Sequence, residues 1–346
     1  MATDVPRLAL LILPLLSLLC SGLVVRGAIG YAHRRGMLDQ PGQRRSHIAP
    51  TPRGGGIGII LAALVFLPVC LRLLPAPLPS AETLALCIGL ALVAGTGWWD
   101  DHRPLPVLPR LAIQSLAVLI LGMAMVADGL PILWLPLLLA AGVGSTNLHN
   151  FMDGIDGLLA QQALFVFAGA ALLAMGVQAW ALAGASLVML AACLGFWLFN
   201  RPPARIFMGD VGSGALGFFV FALAALLWRE RTALAWPLAT LSASFITDAG
   251  LTLAVRIWRG RRWYSAHREH LYQWLVRKGA THRQVGIGYA MWNLAVCAPL
   301  AALAWCESGK GWWPCIAAYA LTAAAWARLK RRCLRRVPTG DRHVNA

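Results

Sequence analysis

The chain has 346 residues, of which 59% are hydrophobic and 13% charged, with a formal net charge of +16. Soluble domains carry about 25% charged residues, so this composition excludes an ordinary soluble globular fold and points to a lipid bilayer. The basic excess does not call for nucleic acid: cytoplasmic loops of membrane proteins accumulate Lys and Arg, and no basic run is interleaved with aromatics in a nucleic-acid-binding module.

Apolar stretches long enough to span a bilayer fall near residues 7–29, 54–74, 82–98, 108–127, 130–149, 158–176, 179–199, 211–228, 233–255, 285–306 and 312–327. A span needs about 20 residues. The predicted fold is therefore all-α: a polytopic membrane helical bundle of about eleven transmembrane helices, one integral domain over residues 1–346, with no soluble domain and no internal repeat. Residues 8–25 lack an A-x-A cleavage pattern and are read as the first membrane helix rather than a signal peptide. The eight cysteines are scattered, with no CxxC pair, and read as small hydrophobes rather than a zinc site or disulfide framework.

Orientation follows from the basic residues. The odd-numbered connections and the C-terminal tail hold all 30 of them except Arg7, Arg72, Arg229, Arg231 and Lys310. The positive-inside rule then puts those loops in the cytoplasm and the N-terminus on the outer side. The loops expected to carry chemistry lie near 30–54, 98–110, 147–158, 200–214 and 256–284.

Carboxylates number only fourteen, so their positions are informative. The first connection, PTPRGGG at 50–56, offers Arg53, with Arg44, Arg45 and His47 before it, as donors to an anion. A topology-setting basic loop accounts for Arg44 and Arg45 equally well. Asp100 and Asp101 end the third span in WWDD. Asn150, Asp153 and Asp156 follow at intervals of three in NLHNFMDGIDGL, a spacing that puts their oxygens on one face of a helical turn. Asp210 sits in NRPPARIFMGDVGSG, where Gly209, Gly212 and Gly214 would let a phosphate approach the start of a helix. Acids gathered on one face amid basic residues read as a divalent-cation and phosphate site, since hard oxygens suit Mg²⁺. The competing reading is that they balance arginines and cap helices. In HREH, His267 and His270 would share a helical face and serve phosphate binding or proton transfer, while Glu269 and Tyr272 read as a solvated loop. Asp248, inside the ninth span, is a functional candidate by its burial in a membrane helix, with pairing to Arg256 as the alternative.

These five motifs, in this order on alternating loops, resemble the polyprenyl-phosphate N-acetylhexosamine-1-phosphate transferase superfamily, over about residues 30–275. The resemblance implies transfer of a sugar-1-phosphate from a UDP-sugar to a polyprenyl phosphate in the bacterial inner membrane, with Mg²⁺ (Mn²⁺ substituting) as cofactor. It implies Asp210 as a metal ligand with Asn150 as a second. Asp156 would read the uracil ring, with Phe207 stacked on it and Asn200 nearby. Asp100 and Asp101 would lie near the lipid phosphate and metal, and Asp153 near the nucleotide and diphosphate. Either Arg103 or Arg110 would contact the diphosphate, and His267, Arg268 and His270 would recognise the sugar. Expected partners are the UDP-sugar, the polyprenyl phosphate and the bilayer, with a second copy of the chain as a further candidate.

The histidine loop departs from the peptidoglycan phospho-MurNAc-pentapeptide transferase, which carries three histidines in a row there. HREH instead resembles the O-antigen-initiating type that uses UDP-GlcNAc, UDP-FucNAc or similar donors. Asp100 is the candidate for removing a residual proton from the lipid phosphate, although a second phosphate pKa of about 6 leaves little to remove at neutral pH. A transporter of an anionic solute is the rival reading. It would instead place charged or broken helices near the midplane.

Overall fold

The structure is a computed structural model, and residues 4–39, 50–261, 267–307 and 309–335 are described. Arg44, Arg45 and His47 lie outside the described residues. The chain order is α1 (Asp4–Arg35), a two-residue antiparallel pair β1 (Leu38–Asp39) and β2 (Thr51–Pro52), α2 (Ile57–Leu73), α3 (Ser80–His102), α4 (Val107–Ala127), α5 (Leu135–Phe151), α6 (Leu158–Gly176) and α7 (Trp180–Asn200). Then follow α8 (Asp210–Glu230), α9 (Ala235–Leu241), α10 (Ala243–Trp258), α11 (Leu271–Arg277), α12 (His282–Trp292), α13 (Ala298–Cys306) and α14 (Trp312–Leu334). In hydrocarbon every backbone polar group must be satisfied within its own segment, and runs of Leu, Ala, Val and Phe do this as helices.

Each of the eleven predicted stretches is helical, but they are not eleven uniform spans. Among the described residues, eight helices are long and apolar enough to cross a membrane, one of them formed by α12 and α13 through a π-helical stretch at Asn293–Cys297. The helix α2 has only 17 residues. The predicted ninth span is a correction: it is two helices, Thr232–Leu241 and Ala243–Trp258, bent by 73° at Ser242. The break falls at the short polar residue Ser242, and two residues on the buried Ser244 hydroxyl donates to Gln162 Oε1 at 3.4 Å.

α8 lies at the centre, with 89% of its apolar window buried. Small residues let neighbours close on it. A side chain at Gly217 would come within 2.6 Å of the Ser145 carbonyl, and the Ser145 hydroxyl donates to Gly217 O at 2.7 Å. On the other side α1 is fastened to α7: the buried hydroxyls of Ser17 and Ser21 donate to Val188 O and Ala192 O at 2.9 and 2.7 Å.

α10 is amphipathic in the inverse sense from a soluble helix. Ser244, Thr247, Asp248, Thr252 and Arg256 face inward and Ile257 and Trp258 outward, as polar groups do when the surroundings are lipid. Trp99 and Trp258 are exposed at the basic end of the bundle, and Trp134, Trp236, Trp312 and Trp313 at the other, the distribution of interfacial aromatic belts.

Candidate active site

The carboxylates converge on the basic face, where α3 and α5 end and α8 begins. Arg110, from the start of α4, reaches Asp100 Oδ2 at 3.1 Å and Asp210 Oδ2 at 3.4 Å. Arg103 is exposed and has no described contact with the acids, so of the two arginines it is Arg110 that joins them. The other Asp100 oxygen accepts the Leu105 amide at 2.6 Å. Both Asp100 oxygens are thus engaged.

Asp101 has a different task. It is 5% exposed, and its two oxygens accept the amides of Asp210 at 3.1 Å and Val211 at 3.2 Å. The next two amides, Gly212 and Ser213, both donate to Gly209 O. Three of the four orphan donors at the start of α8, the amides of Asp210, Val211 and Gly212, therefore have protein partners, which takes up most of the expected phosphate seat. The glycines serve close packing instead. Gly209 has φ +76° and a side chain there would strike the Asp101 carboxylate, while one at Gly212 would meet Gly56 Cα at 2.7 Å. That contact brings the first connection into the site. Gly55 and Gly56 donate to Phe207 O and Met208 O, Phe207 N donates to Pro52 O, and Arg53 Nη2 donates to Asp101 O.

Asn150, Asp153 and Asp156 do not share a helical face. α5 ends at Phe151, and the chain turns through Gly154 and Gly157, the latter at φ +75°. The carboxamide of Asn150 donates to Asp210 Oδ1 at 3.0 Å and to Ser213 Oγ at 2.8 Å, so its nitrogen meets Asp210. Asp153 follows the helix end, half-buried, with no hydrogen bond to its carboxylate among the described residues. Burial, followed by the charges of Asp210, Asp101 and Asp156, pushes its pKa up to about 8.

Asp156 turns away from this cluster. Its Oδ2 accepts the Ala204 amide at 3.1 Å, and its Oδ1 lies 3.1 Å from Nδ1 of His282, the first residue of α12. Asn200 is 3% exposed and ties two loops together: it accepts from Gly157 N at 3.0 Å and donates to Ile206 O at 2.9 Å. Phe207 is half-buried beside them. His282 is a site residue that sequence reasoning missed. Its signal would have been the helix start Thr281-His282-Arg283-Gln284, a capping box.

His267 and His270 lie before α11 in non-helical backbone, not on a helical face, yet their rings are 4.9 Å apart. Both rings pack on Phe151, at 5.8 and 6.0 Å, which brings them beside the loop that holds Asp153. Both ring nitrogens of His267 and Nδ1 of His270 are buried with no protein partner, the state of donors and acceptors built for a ligand. Burial, then His270 and Arg256, lowers the His267 pKa to about 4. Burial likewise lowers that of His270. Arg268 is exposed, and its carbonyl accepts from Arg277. Tyr272 and Glu269 are not solvated loop residues. Tyr272 is 1% exposed and donates to Phe151 O at 2.9 Å, and Gly154 packs so closely on it that a side chain there would meet its Oη at 2.1 Å. Glu269 is half-buried and pairs with Arg256 at 2.6 Å and Arg261 at 2.7 Å. Burial opposes its ionisation, but the two arginines win and hold its pKa below the usual value.

A divalent cation fits the acid cluster. Hard oxygens of Asp100 and Asp210 gather around one arginine, and Asp153 lies near enough for burial and the neighbouring carboxylates to raise its pKa. Among the described residues no three acids or histidines are close enough to ligate an ion on their own. Mg²⁺ takes one or two protein carboxylates and leaves the remainder to water and phosphate.

The fold and site together define a membrane helical bundle with an acid-rich, arginine-bridged cluster on its basic face. The model of glycosyl transferase family 4 matches residues 83–228, from α3 to α8, and so includes Asp100, Asn150, Asp153, Asp156 and Asp210. The decaprenyl-phosphate N-acetylglucosaminephosphotransferase of Mycobacterium leprae is 30% identical over 307 residues, 77% of each chain. A Bacillus subtilis protein named probable undecaprenyl-phosphate N-acetylglucosaminyl 1-phosphate transferase is 28% identical over 263 residues, 72% of each chain. A phospho-N-acetylmuramoyl-pentapeptide-transferase of Moorella thermoacetica is 35% identical over 229 residues, 56% of this chain and 66% of that one. The chain belongs to glycosyl transferase family 4, the family of the polyprenyl-phosphate transferases its motifs resemble.

Proposed function

We propose that this protein transfers N-acetylhexosamine-1-phosphate from a UDP-sugar to undecaprenyl phosphate on the cytoplasmic face of the bacterial inner membrane, with its N-terminus periplasmic, giving undecaprenyl-diphosphate-sugar and UMP and initiating O-antigen or a related envelope polysaccharide. The observation that carries this reading is the convergence of Asp100, Asp210 and Arg110, with Asp153 beside them, next to two histidines that keep three buried ring nitrogens without a protein partner.

Nucleophile and electrophile are both anionic, so bringing them together is the main barrier, and positioning with electrostatics does most of the work. Arg110 neutralises the diphosphate while Asp100 keeps that guanidinium oriented. Asp210, with Asn150 and the substrate phosphates, would hold Mg²⁺, which supplies neutralisation of the leaving UMP when bound. Asp156, fixed by Ala204 and His282, accepts from the uracil beside Phe207. His267 and His270 hydrogen-bond the sugar or its phosphate. A lipid-phosphate oxygen then attacks the β-phosphorus as the bond to the UMP oxygen breaks and UMP leaves. HREH in place of a three-histidine run favours a small N-acetylhexosamine over the pentapeptide donor.

The test uses purified protein in detergent with undecaprenyl phosphate, Mg²⁺ and a panel of UDP-N-acetylhexosamines plus UDP-MurNAc-pentapeptide. UMP release and the mass of the lipid product are followed. A product with one hexosamine supports the reading and names the donor. A product with the pentapeptide alone overturns the donor assignment, and solute uptake in proteoliposomes without UMP release overturns the enzyme. The Asp210→Ala variant is expected to stay folded and lose metal-dependent turnover, and full activity at the same Mg²⁺ level would refute its role.

A further inference from the structure

Asp248 is the most heavily hydrogen-bonded side chain among the described residues, and neither the acid cluster nor the nucleotide loop uses it. It sits on α10 at 2% exposure. Its carboxylate accepts the first two amides of α11, Leu271 N at 2.7 Å and Tyr272 N at 3.3 Å, the Tyr289 hydroxyl at 2.7 Å and the Trp326 indole N–H at 2.9 Å. A buried carboxylate is tolerated only when its lone pairs are filled, and here three elements (α11, α12 and α14) fill them. One turn and two turns further along α10, Thr252 and Arg256 extend the same inward stripe. Lys330 of α14 donates to Thr252 Oγ1 at 3.2 Å and to Glu269 O at 2.5 Å, and Arg256 pairs with the Glu269 carboxylate.

These bonds bracket His270. The residue before it is held through its carbonyl and side chain, and the two residues after it through their amides. Close packing does only part of this holding: Tyr272 is buried against Gly154, but the other flank of the helix is less filled. Behind α11 lies an apolar cavity of about 260 Å³, lined by Leu271, Leu275, Val285, Tyr289, Trp326 and Leu329. On that side the seven-residue helix faces an apolar cavity rather than a packed neighbour, so the hydrogen bonds at its start add to the packing of Tyr272 in fixing its position.

We propose that Asp248, with Trp326 and Lys330 of the C-terminal helix, is a positioning brace that sets His267 and His270 against Phe151 and thereby tunes affinity for the sugar donor. The inference rests on the reading that these histidines meet the donor. It assigns a role to α14, which lies beyond the residues matched by the family model. None of the three residues touches substrate; they act through the segment they hold.

The test is made on the full chain in detergent with three variants. Trp326→Phe removes one N–H and keeps the ring, Lys330→Met keeps the stem and removes the ammonium, and Asp248→Asn removes the charge. Hydrogen exchange at Leu271 and Tyr272 is read in the empty protein, and KM for UDP-N-acetylglucosamine, KM for undecaprenyl phosphate and kcat are read separately. Where another donor gives the product, that donor replaces it. In Trp326→Phe and Lys330→Met, exchange at those amides is expected to speed up and donor KM to rise about tenfold, with acceptor KM and kcat within about twofold. Unchanged exchange in both variants would overturn the brace. So would a parallel loss in all kinetic constants that merely tracks the folded fraction. If Asp248→Asn does not fold, the two milder variants decide. If the wild-type chain turns over no donor, the transferase reading fails, and exchange at Leu271 and Tyr272 still shows whether the brace holds the segment.

Discussion

Asp100 and Asp101 are neighbours in the chain with unlike surroundings. One looks into the pocket and holds Arg110, the other looks back into the protein and caps α8. Their substitutions should part accordingly. Asp101→Asn turns an acceptor of two amides into a group with one oxygen and an NH₂, and should lower unfolding free energy by about 1–3 kcal/mol, seen as a lower thermal midpoint in detergent. Asp100→Asn should leave the midpoint nearly unchanged and reduce turnover; equal midpoints for the two variants would contradict the division. Adjacent acids at a helix end were plain in the sequence. Which one faces the pocket depends on where α8 packs, and that is a long-range fact no local spacing carries. The histidines give a prediction with a sign. Folding lowers the His267 pKa from about 6.5 to about 4. Between those values the unfolded chain takes up a proton that the folded one refuses, so stability is complete above about pH 6.5 and falls as pH drops toward 4. Thermal midpoints from pH 7.5 to 4.5 test this, and His267→Gln should flatten the slope.

Among the elements, the start of α8 is the part most tightly specified by shape. Gly97 of α3 lies against the backbone of Asp210, where a methyl group would fall 2.1 Å from the carbonyl oxygen, whereas nothing lies within 4 Å of the corresponding point at Gly95. Gly97→Ala is expected to cost about 1–3 kcal/mol from overpacking and to reduce UMP release by displacing Asp210, with Gly95→Ala as a neutral control. A loss at Gly95 equal to that at Gly97 would remove the steric explanation. Hydropathy made the helices legible because lipid imposes one solution on any long apolar run. It did not reveal the bend at Ser242, since residues 233–255 stay apolar on both sides and the chain there has no glycine or proline at the break. The histidine segment was misread for a related reason: a spacing of three suits a helix, but Asp248 starts α11 only after His270.

At the scale of the whole molecule, opposite charges are gathered at both ends, with different consequences. At the end away from the acid cluster, Glu82, fully buried, and Asp128 both meet Arg229, joining the start of α3, the end of α4 and the end of α8. Nothing in the sequence set these three residues apart, because they come from separate connections. Glu82→Ala would leave Arg229 with the more exposed Asp128 as its partner and should cost about 1–3 kcal/mol, while kinetic constants per folded molecule stay unchanged. A selective kinetic defect would show that the two ends are coupled.

The bend between α9 and α10 has a consequence for the lipid as well as for the protein. Two segments set at 73° cannot both stand along the membrane normal, so at least one leans by half that angle or more, and a leaning helix reaches through less hydrocarbon than its length implies. The short α2, with 17 residues, is also matched to a thin sheet. Local thinning of the bilayer beside these elements is one way to meet the hydrophobic mismatch, at a fraction of a kcal/mol per Å, and if it is the one used, vesicles of short-chain lipids should relieve that deformation where long-chain lipids aggravate it.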